Sequence, residues 1–378
     1  MTEALQIRPV RSPRPVATLC GVDIARPRKP TLDTVAGVVG VSRATVSNAY
    51  NRPDQLSASL RERILAAALE LGYSGPDPVA RSLATRSSAA VGFMLGQPLT
   101  AAFSDPAVSV FLDGLASTVD GRDHCLVLMP GNETGGPRPE TVARAQADVF
   151  VAYSLPDDAP ALAAVRARGL PMVVVDQPVL AGAARVEVDD TGGARSAAEH
   201  LLLLGHRHFG VLTFALRPGG RTGPVDERRR AEASFRVTRD RLAGYLDVLA
   251  EAGITDVPVW EASGSRRELG RTGTRWLLEQ DPRPTALLCA SDELAFGALR
   301  AVRDAGLSTP DDVSVTGFDD VPDAKHADPP LTTVRQPLAE KGRRAGELAL
   351  RLLDGESPGG PIRVPVELVL RASTRPPR

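Results

Sequence analysis

The chain has few aromatic side chains: Phe, Tyr and Trp together make up 4% of its 378 residues. Its cores must therefore be built mainly from Val, Leu and Ala, within an apolar fraction of 43% that suits a globular protein. It has no run of 18 apolar residues, which excludes a spanning helix. Its N-terminus lacks an apolar stretch followed by a small-residue cleavage site, so the expectation is a cytoplasmic protein. Cysteine is scarce. Cys20, Cys125 and Cys289 lie far apart with no CxxC pair, which excludes a disulfide framework and a zinc site of that kind. Cys125 and Cys289 sit in apolar runs and read as small buried hydrophobes.

Catalytic signatures are missing as well. Ser154 in FVAYSLP has no GxSxG elbow to expose it as a nucleophile. His200, His206 and His208 are close in sequence but match no zinc spacing. The glycine-rich stretches 131–136 and 219–223 lack the Lys-Ser/Thr of a phosphate loop and read as surface turns. Nothing brings together a nucleophile, a base and an oriented donor, so the expectation is no catalytic residue, no metal and no cofactor. Net charge is −1 but uneven: residues 1–86 hold twelve Arg or Lys against seven Asp or Glu, and the remainder is acidic. A basic head on an acidic body suits nucleic-acid contact by the head alone.

The most informative stretch is TLDTVAGVVGVSRATVSNAYN, residues 31–51. It predicts two short helices around a tight turn at Gly40. Thr31 caps the first helix, whose apolar positions Leu32, Val35, Ala36 and Val39 share one face. Gly40 is free to take the left-handed conformation that closes a helix. Ser42 caps the second helix, which buries Ala44 or Val46 together with Ala49. Arg43, Thr45, Ser47 and Asn48 remain for phosphates or base edges. A third helix follows a cap at Ser57, with its stripe at Leu60, Ile64, Ala67, Ala68 and Leu71, and covers the pair.

At this length two or more domains are expected. Residues 1–30, rich in Pro and Arg, read either as a disordered basic arm or as the product of a start codon assigned too far upstream. After the breaker Gly75-Pro76-Asp77-Pro78, the segment 79–84 is long enough for about one and a half helical turns. It reads either as a plain linker or as a hinge that folds only against a partner. From residue 88, short apolar runs alternate with helical stretches, the rhythm of parallel sheets with covering helices in two successive α/β lobes. Such lobes place a cleft at the carboxyl ends of their strands. Asp176, Asp189, Asp190, Asp319 and Asp320 end predicted strands. Asp accepts bonds from adjacent hydroxyls, and Arg241, on the helix RLAGYLDVL, is the matching donor.

The order of parts resembles the LacI/GalR family of bacterial transcription regulators, which includes the lac and purine repressors. The stretches that carry the resemblance are Thr31-Leu32 with Val35-Ala36, Gly40-Val41-Ser42, Thr45-Val46-Ser47 and Asn51, and then residues 79–84. Further on they are Leu204-Gly205-His206, residues 241–245, 291–297, Gly317-Phe318-Asp319-Asp320 and 330–337. The resemblance implies a three-helix helix-turn-helix head and a two-lobe α/β body with parallel sheets, periplasmic-binding-protein-like (type I). The expected division is a head at 31–74 and a linker with hinge helix at 75–87. A first lobe at 88–188 with about 319–345 and a second at 189–318 with about 346–372 follow.

The resemblance also implies contact with double-stranded DNA through Thr31, Ser42, Arg43, Ala44, Thr45, Ser47, Asn48 and Asn51, with Leu83 as a minor-groove wedge. A homodimer on a near-palindromic operator follows, without membrane. The small-molecule effector, a sugar or polyol, would meet Asp176, Arg241, Phe318 and Asp319, with Phe103 from the lining stretch 97–106. Ser291 stands where the family has an Asn. The rival expectations are a solute-binding protein of a sugar transport system, a sugar sensor that does not bind DNA, and a sugar-processing enzyme.

Overall fold

The computed structural model of the protein describes residues 30–75 and 87–378. All but the last residue of the arm expected at 1–30, and the segment 79–84 with Leu83, lie outside the described residues. Contacts divide the chain into one unit ending at Arg86 and another starting at Ser87.

The first unit is a three-helix head: α1 (Leu32–Val39), α2 (Arg43–Asn51) and α3 (Ala58–Glu70). Thr31 and Thr34 cap α1 reciprocally. The Thr34 N–H donates to Thr31 Oγ1 at 3.3 Å, and the Thr31 N–H donates to Thr34 Oγ1 at 3.2 Å. Gly40 ends α1 at φ 76°, the left-handed cap. Ser42 Oγ then accepts the Thr45 N–H at 3.0 Å and starts α2. Val35, Ala36, Val46, Ala49, Ile64 and Ala68 form the core, each side chain of Val size contributing about 1.5–3 kcal/mol. Of the pair Ala44 or Val46, it is Val46 that is buried, and Ala44 is exposed. Arg63 and Arg61 on α3 donate to the carbonyls of Val39 and Ala49, tying α3 to the last turns of both other helices.

The second unit holds two sheets. The first contains β1 (Ala90–Leu95), β2 (Cys125–Met129), β3 (Val149–Tyr153), β4 (Met172–Val175), β5 (Ala184–Val188) and β12 (Ile362–Val364), all parallel, in the order β12-β5-β4-β3-β1-β2. The second contains β6 (Phe209–Thr213), β7 (Gly223–Pro224), β8 (Val259–Glu261), β9 (Ala286–Cys289), β10 (Ser314–Asp319), β11 (Thr332–Arg335) and β13 (Glu367–Val369), in the order β13-β11-β10-β9-β6-β8-β7. It is parallel at its centre and antiparallel at both edges.

The lobe boundaries differ from expectation. Both β10 and β11 lie in the second sheet, so residues 319–335 belong to the second lobe rather than the first. Helix Leu338–Leu353 packs on β3, β4 and β5 and on helix Pro106–Asp120, and its Ala345, Leu348 and Ala349 join the core of the first lobe. The last two strands, β12 and β13, lie close in the chain but in different sheets, because Pro365 between them has no N–H to continue a ladder. The chain thus crosses between lobes after β5, after β11 and after β12. Cys289 is buried, but Cys125 opens edge strand β2 and is exposed, a correction to the sequence reading.

Candidate functional site

In the head, the polar side of α2 lies opposite Val46 and Ala49. Arg43, Ala44 and Asn51 are exposed, and Thr45, Ser47 and Asn48 are half-buried. Arg43 stands 3.8 Å from Asp33, with both side chains largely in solvent, an ion pair worth at most about 1 kcal/mol and easily exchanged for another anion. Asn51 Nδ2 donates to Ser47 Oγ at 3.2 Å, and Asn48 Nδ2 reaches Gln55 Oε1 at 3.4 Å. The Thr31 and Ser42 hydroxyls are engaged as helix caps.

In the body, the strand ends hold residues in left-handed backbone: Ser154 after β3 (φ 51°), Asp176 after β4 (φ 63°), and Asp319 and Asp320 at the end of β10 (φ 120° and 55°). Such conformations cost about 1–3 kcal/mol each and persist only where their surroundings fix them. Here they turn carboxylates inward. Asp176, Asp190 and Asp319 are each at least nine-tenths buried, together with Arg241, Gln336 and Lys341.

These groups form one continuous chain. Lys341 Nζ donates to Asp176 Oδ2 at 2.8 Å and to Gln336 Oε1 at 2.6 Å. Gln336 Nε2 donates to Asp319 Oδ1 at 2.6 Å. Arg241 donates to Asp319 Oδ1 at 3.3 Å, to Asp190 Oδ1 at 2.8 Å and to the Ala290 carbonyl at 2.7 Å. The chain runs from a strand end of the first lobe, through the second crossing, to the second lobe. A surface pocket of about 470 Å³ is lined by Gln336, Asp320 and Leu338 but not by Asp176 or Arg241, so Gln336 forms part of its wall.

The charges are not balanced. Burial pushes the Asp190 carboxyl up to about 6, against the pull of Arg241. Burial also raises Asp319. Asp105, at the start of helix Pro106–Asp120, is pushed up to about 6 by burial and then by the charge of Asp319. Burial opposes the charge of Arg241, but Asp190 and Asp319 outweigh it and raise its pKa. The Tyr153 phenol is raised well above its usual value by burial and by the nearby Asp176. Four carboxyls thus share the site with two cations.

The sequence-derived residues are placed unevenly. Asp176, Arg241 and Asp319 come together. Arg241 lies in the second turn of helix Arg236–Glu251 rather than at its start. Phe318 is fully buried, with the Arg241 guanidinium 3.6 Å from its ring centroid, so it supports Arg241 from below. Phe103 is not drawn in and is 61% exposed. From its stretch it is Asp105, bonded to Gln97, that faces Asp319. Ser291 is buried and caps helix Asp292–Asp304 through the Leu294 N–H at 3.3 Å, with Ser265 Oγ at 2.7 Å. Asp189 caps helix Asp190–Leu203. Asp320 is held by Arg335 and Arg371, both at 2.6 Å.

Gln336, Lys341 and Asp105 were missed, and the only available signal was a polar residue flanking a proline-broken segment. Of His200, His206 and His208, the first two anchor the C-terminal tail: His200 meets Thr374 at 2.9 Å, and His206 meets the Arg375 carbonyl at 2.9 Å. Among the described residues no His, Cys, Asp or Glu group could hold a metal ion, and no helix is long and apolar enough to cross a membrane.

The lobes also touch beside the cluster. Helix Arg236–Glu251 has no cap of its own at Phe235. The buried Gln177, next to Asp176 in the first lobe, supplies one: its Oε1 accepts the Val237 N–H at 2.7 Å, while its Nε2 donates to the Leu155 carbonyl at 3.0 Å.

A head that presents a polar helix, and a body that gathers polar groups between two lobes, define a ligand-responsive DNA-binding protein. Residues 31–75 match the family described as bacterial regulatory proteins, lacI family, and residues 198–374 match a periplasmic binding protein-like domain. An HTH-type transcriptional regulator of Mycolicibacterium smegmatis is 46% identical, over 85% of this chain and 90% of its own. The lac repressor dimer bound to operator and the anti-inducer ONPF is similar, with a TM-score of 0.74 and 28% identity, covering 92% of this chain and all of that one. The regulator CelR in complex with cellobiose has a TM-score of 0.65 and 26% identity, covering 91% of this chain and 99% of its own. The chain belongs to the lacI family of bacterial regulatory proteins. It is a sequence-specific DNA-binding regulator that responds to a small effector, and it is not an enzyme.

Proposed function

We propose that the protein is a repressor that binds a near-palindromic operator as a homodimer and is controlled by a neutral sugar or polyol held between its lobes. The observation that carries the effector half is the unbroken buried chain from Asp176 to Asp190. It alternates acceptors and donors, as a set of adjacent hydroxyls requires: a carboxylate accepts two hydroxyls, and a guanidinium donates in a fixed fork. Asp176, Arg241 and Asp319 are its direct contacts, Asp105 a further one, and Phe318 the support beneath Arg241. That CelR was solved with cellobiose supports the ligand class.

On the DNA side, α2 enters the major groove, with Arg43 donating two bonds to a guanine edge and Ala44 near a thymine methyl. Thr45, Ser47, Asn48 and Asn51 lie alongside. The capped helix starts at Thr31 and Ser42 approach phosphates, and Leu83 is the minor-groove wedge. Such work belongs in the cytoplasm. The test is selection of full-length protein against a random duplex library at moderate salt, with and without neutral sugars. Enrichment of a symmetric pair of half-sites, changed by at least one sugar, is the expected result. Recovery of unrelated sequences would end the proposal.

A further inference from the structure

We infer that the Lys341 ammonium is an internal occupant of the effector site, held on the Asp176 carboxylate until a hydroxylated ligand takes its place. This rests on the effector reading above and adds the identity of the group that the ligand must displace.

Lys341 is one of three lysines among 45 basic residues, and among the described residues every other ion pair recorded uses arginine. The difference is chemical. Arginine holds a carboxylate with a rigid two-pronged fork, whereas lysine brings a compact charge on a flexible four-carbon stem that can withdraw by torsions alone. The backbone beneath it is fixed. Gly342 and Gly114 bring helices Leu338–Leu353 and Pro106–Asp120 so close that a Cβ at either would meet the other helix's backbone. Only the side chain of Lys341 is left to move.

Its ammonium lies 1% exposed between Asp176 and Gln336 and joins the first lobe to the crossing. Both neighbours are acceptors there, so a replacement must offer donors. A hydroxylated ligand does so. A phosphate or carboxylate group does not, and it would also meet the carboxyls of Asp105, Asp190 and Asp319. The ligand class is therefore a polyhydroxylated molecule with no anionic group.

The experiment is calorimetric titration of the full-length protein with ribose, glucose, cellobiose, mannitol and ribose 5-phosphate, for wild type, Lys341→Met and Lys341→Arg. Removing the internal competitor should tighten binding of the neutral ligand that wild type binds by roughly tenfold to a hundredfold in Lys341→Met, the range of one charged hydrogen bond. Lys341→Arg, a firmer competitor, should weaken the same binding. It also serves as the test if the Met variant does not melt cooperatively. Weaker or unchanged binding in a folded Met variant, or tighter or unchanged binding in the Arg variant, would overturn the role given to Lys341 and leave the site standing. Tighter binding of ribose 5-phosphate than of ribose would overturn the ligand class. Failure of every neutral probe with all three proteins would remove the effector reading itself, and this inference with it.

Discussion

Arg43 and Asp105 show how far one side chain can decide behaviour in the two units. Arg43 is exposed and only loosely paired, so on the proposed reading little has to be broken before it meets a base edge. Arg43→Ala should lower discrimination at one base pair of each half-site by about 1–3 kcal/mol, read from binding to singly substituted operators. An unchanged preference at every position would remove it from the reading face. Asp105 is the opposite case, a carboxyl pushed up to about 6 by burial and by Asp319. An unfolded Asp titrates near ~3.9, so between the two values the folded state holds a proton that the unfolded chain has released. Its contribution to stability is therefore full below about pH 4 and is lost as the pH rises through about 6. Asp105→Asn can keep the cap to the Ala107 N–H at 3.0 Å. It should raise the urea midpoint at about pH 7.5, with the gap to wild type closing by about pH 4.5. A gap that does not change with pH would contradict the buried charge. At this scale the sequence showed Asp176 and Asp319 as polar residues at the ends of apolar runs, and Arg241 as a donor on a helix. It did not reveal Lys341 or Gln336, which enter the site only because a crossing between lobes folds back across it.

Helices fix where these side chains go, and here the glycines carry most of the constraint. The pair Pro106–Asp120 and Leu338–Leu353 meets through Gly114 and Gly342, with no room for a methyl group at the Phe111 carbonyl. Gly342→Ala should therefore destabilise the body by about 1–3 kcal/mol through overpacking, measured by urea unfolding of the full-length protein. A neutral result would mean that the helices can separate without cost. The head was legible almost residue by residue, since each cap, the turn glycine and the apolar spacing are local in the chain. The reciprocal use of Thr34 in the α1 cap was not legible, because threonine is not the Glu or Gln of the usual capping box. The lobes were legible as an alternation of strands and helices, but their membership was not. The expected division placed 319–335 in the first lobe, whereas β10 and β11 pair with β9 and with each other, a choice set by contacts far apart in the chain. Pro365 was the visible sign of the last crossing.

For the molecule as a whole, the effector and the operator are two ligands of one protein, and their influence on each other is reciprocal. Whatever factor the effector takes from operator affinity, the operator complex must lose in effector affinity. Titrating the effector into free protein and into the protein–operator complex should give that same factor, and unequal factors would mean that the effector acts elsewhere. Lobe closure can be followed more directly. Because Gln177 of one lobe finishes a helix of the other, the Val237 amide loses its acceptor when the lobes part. Its exchange with deuterium should slow or quicken with the effector while neighbouring turns stay unchanged. One backbone hydrogen would thus act as a gauge of whether the receptor is shut.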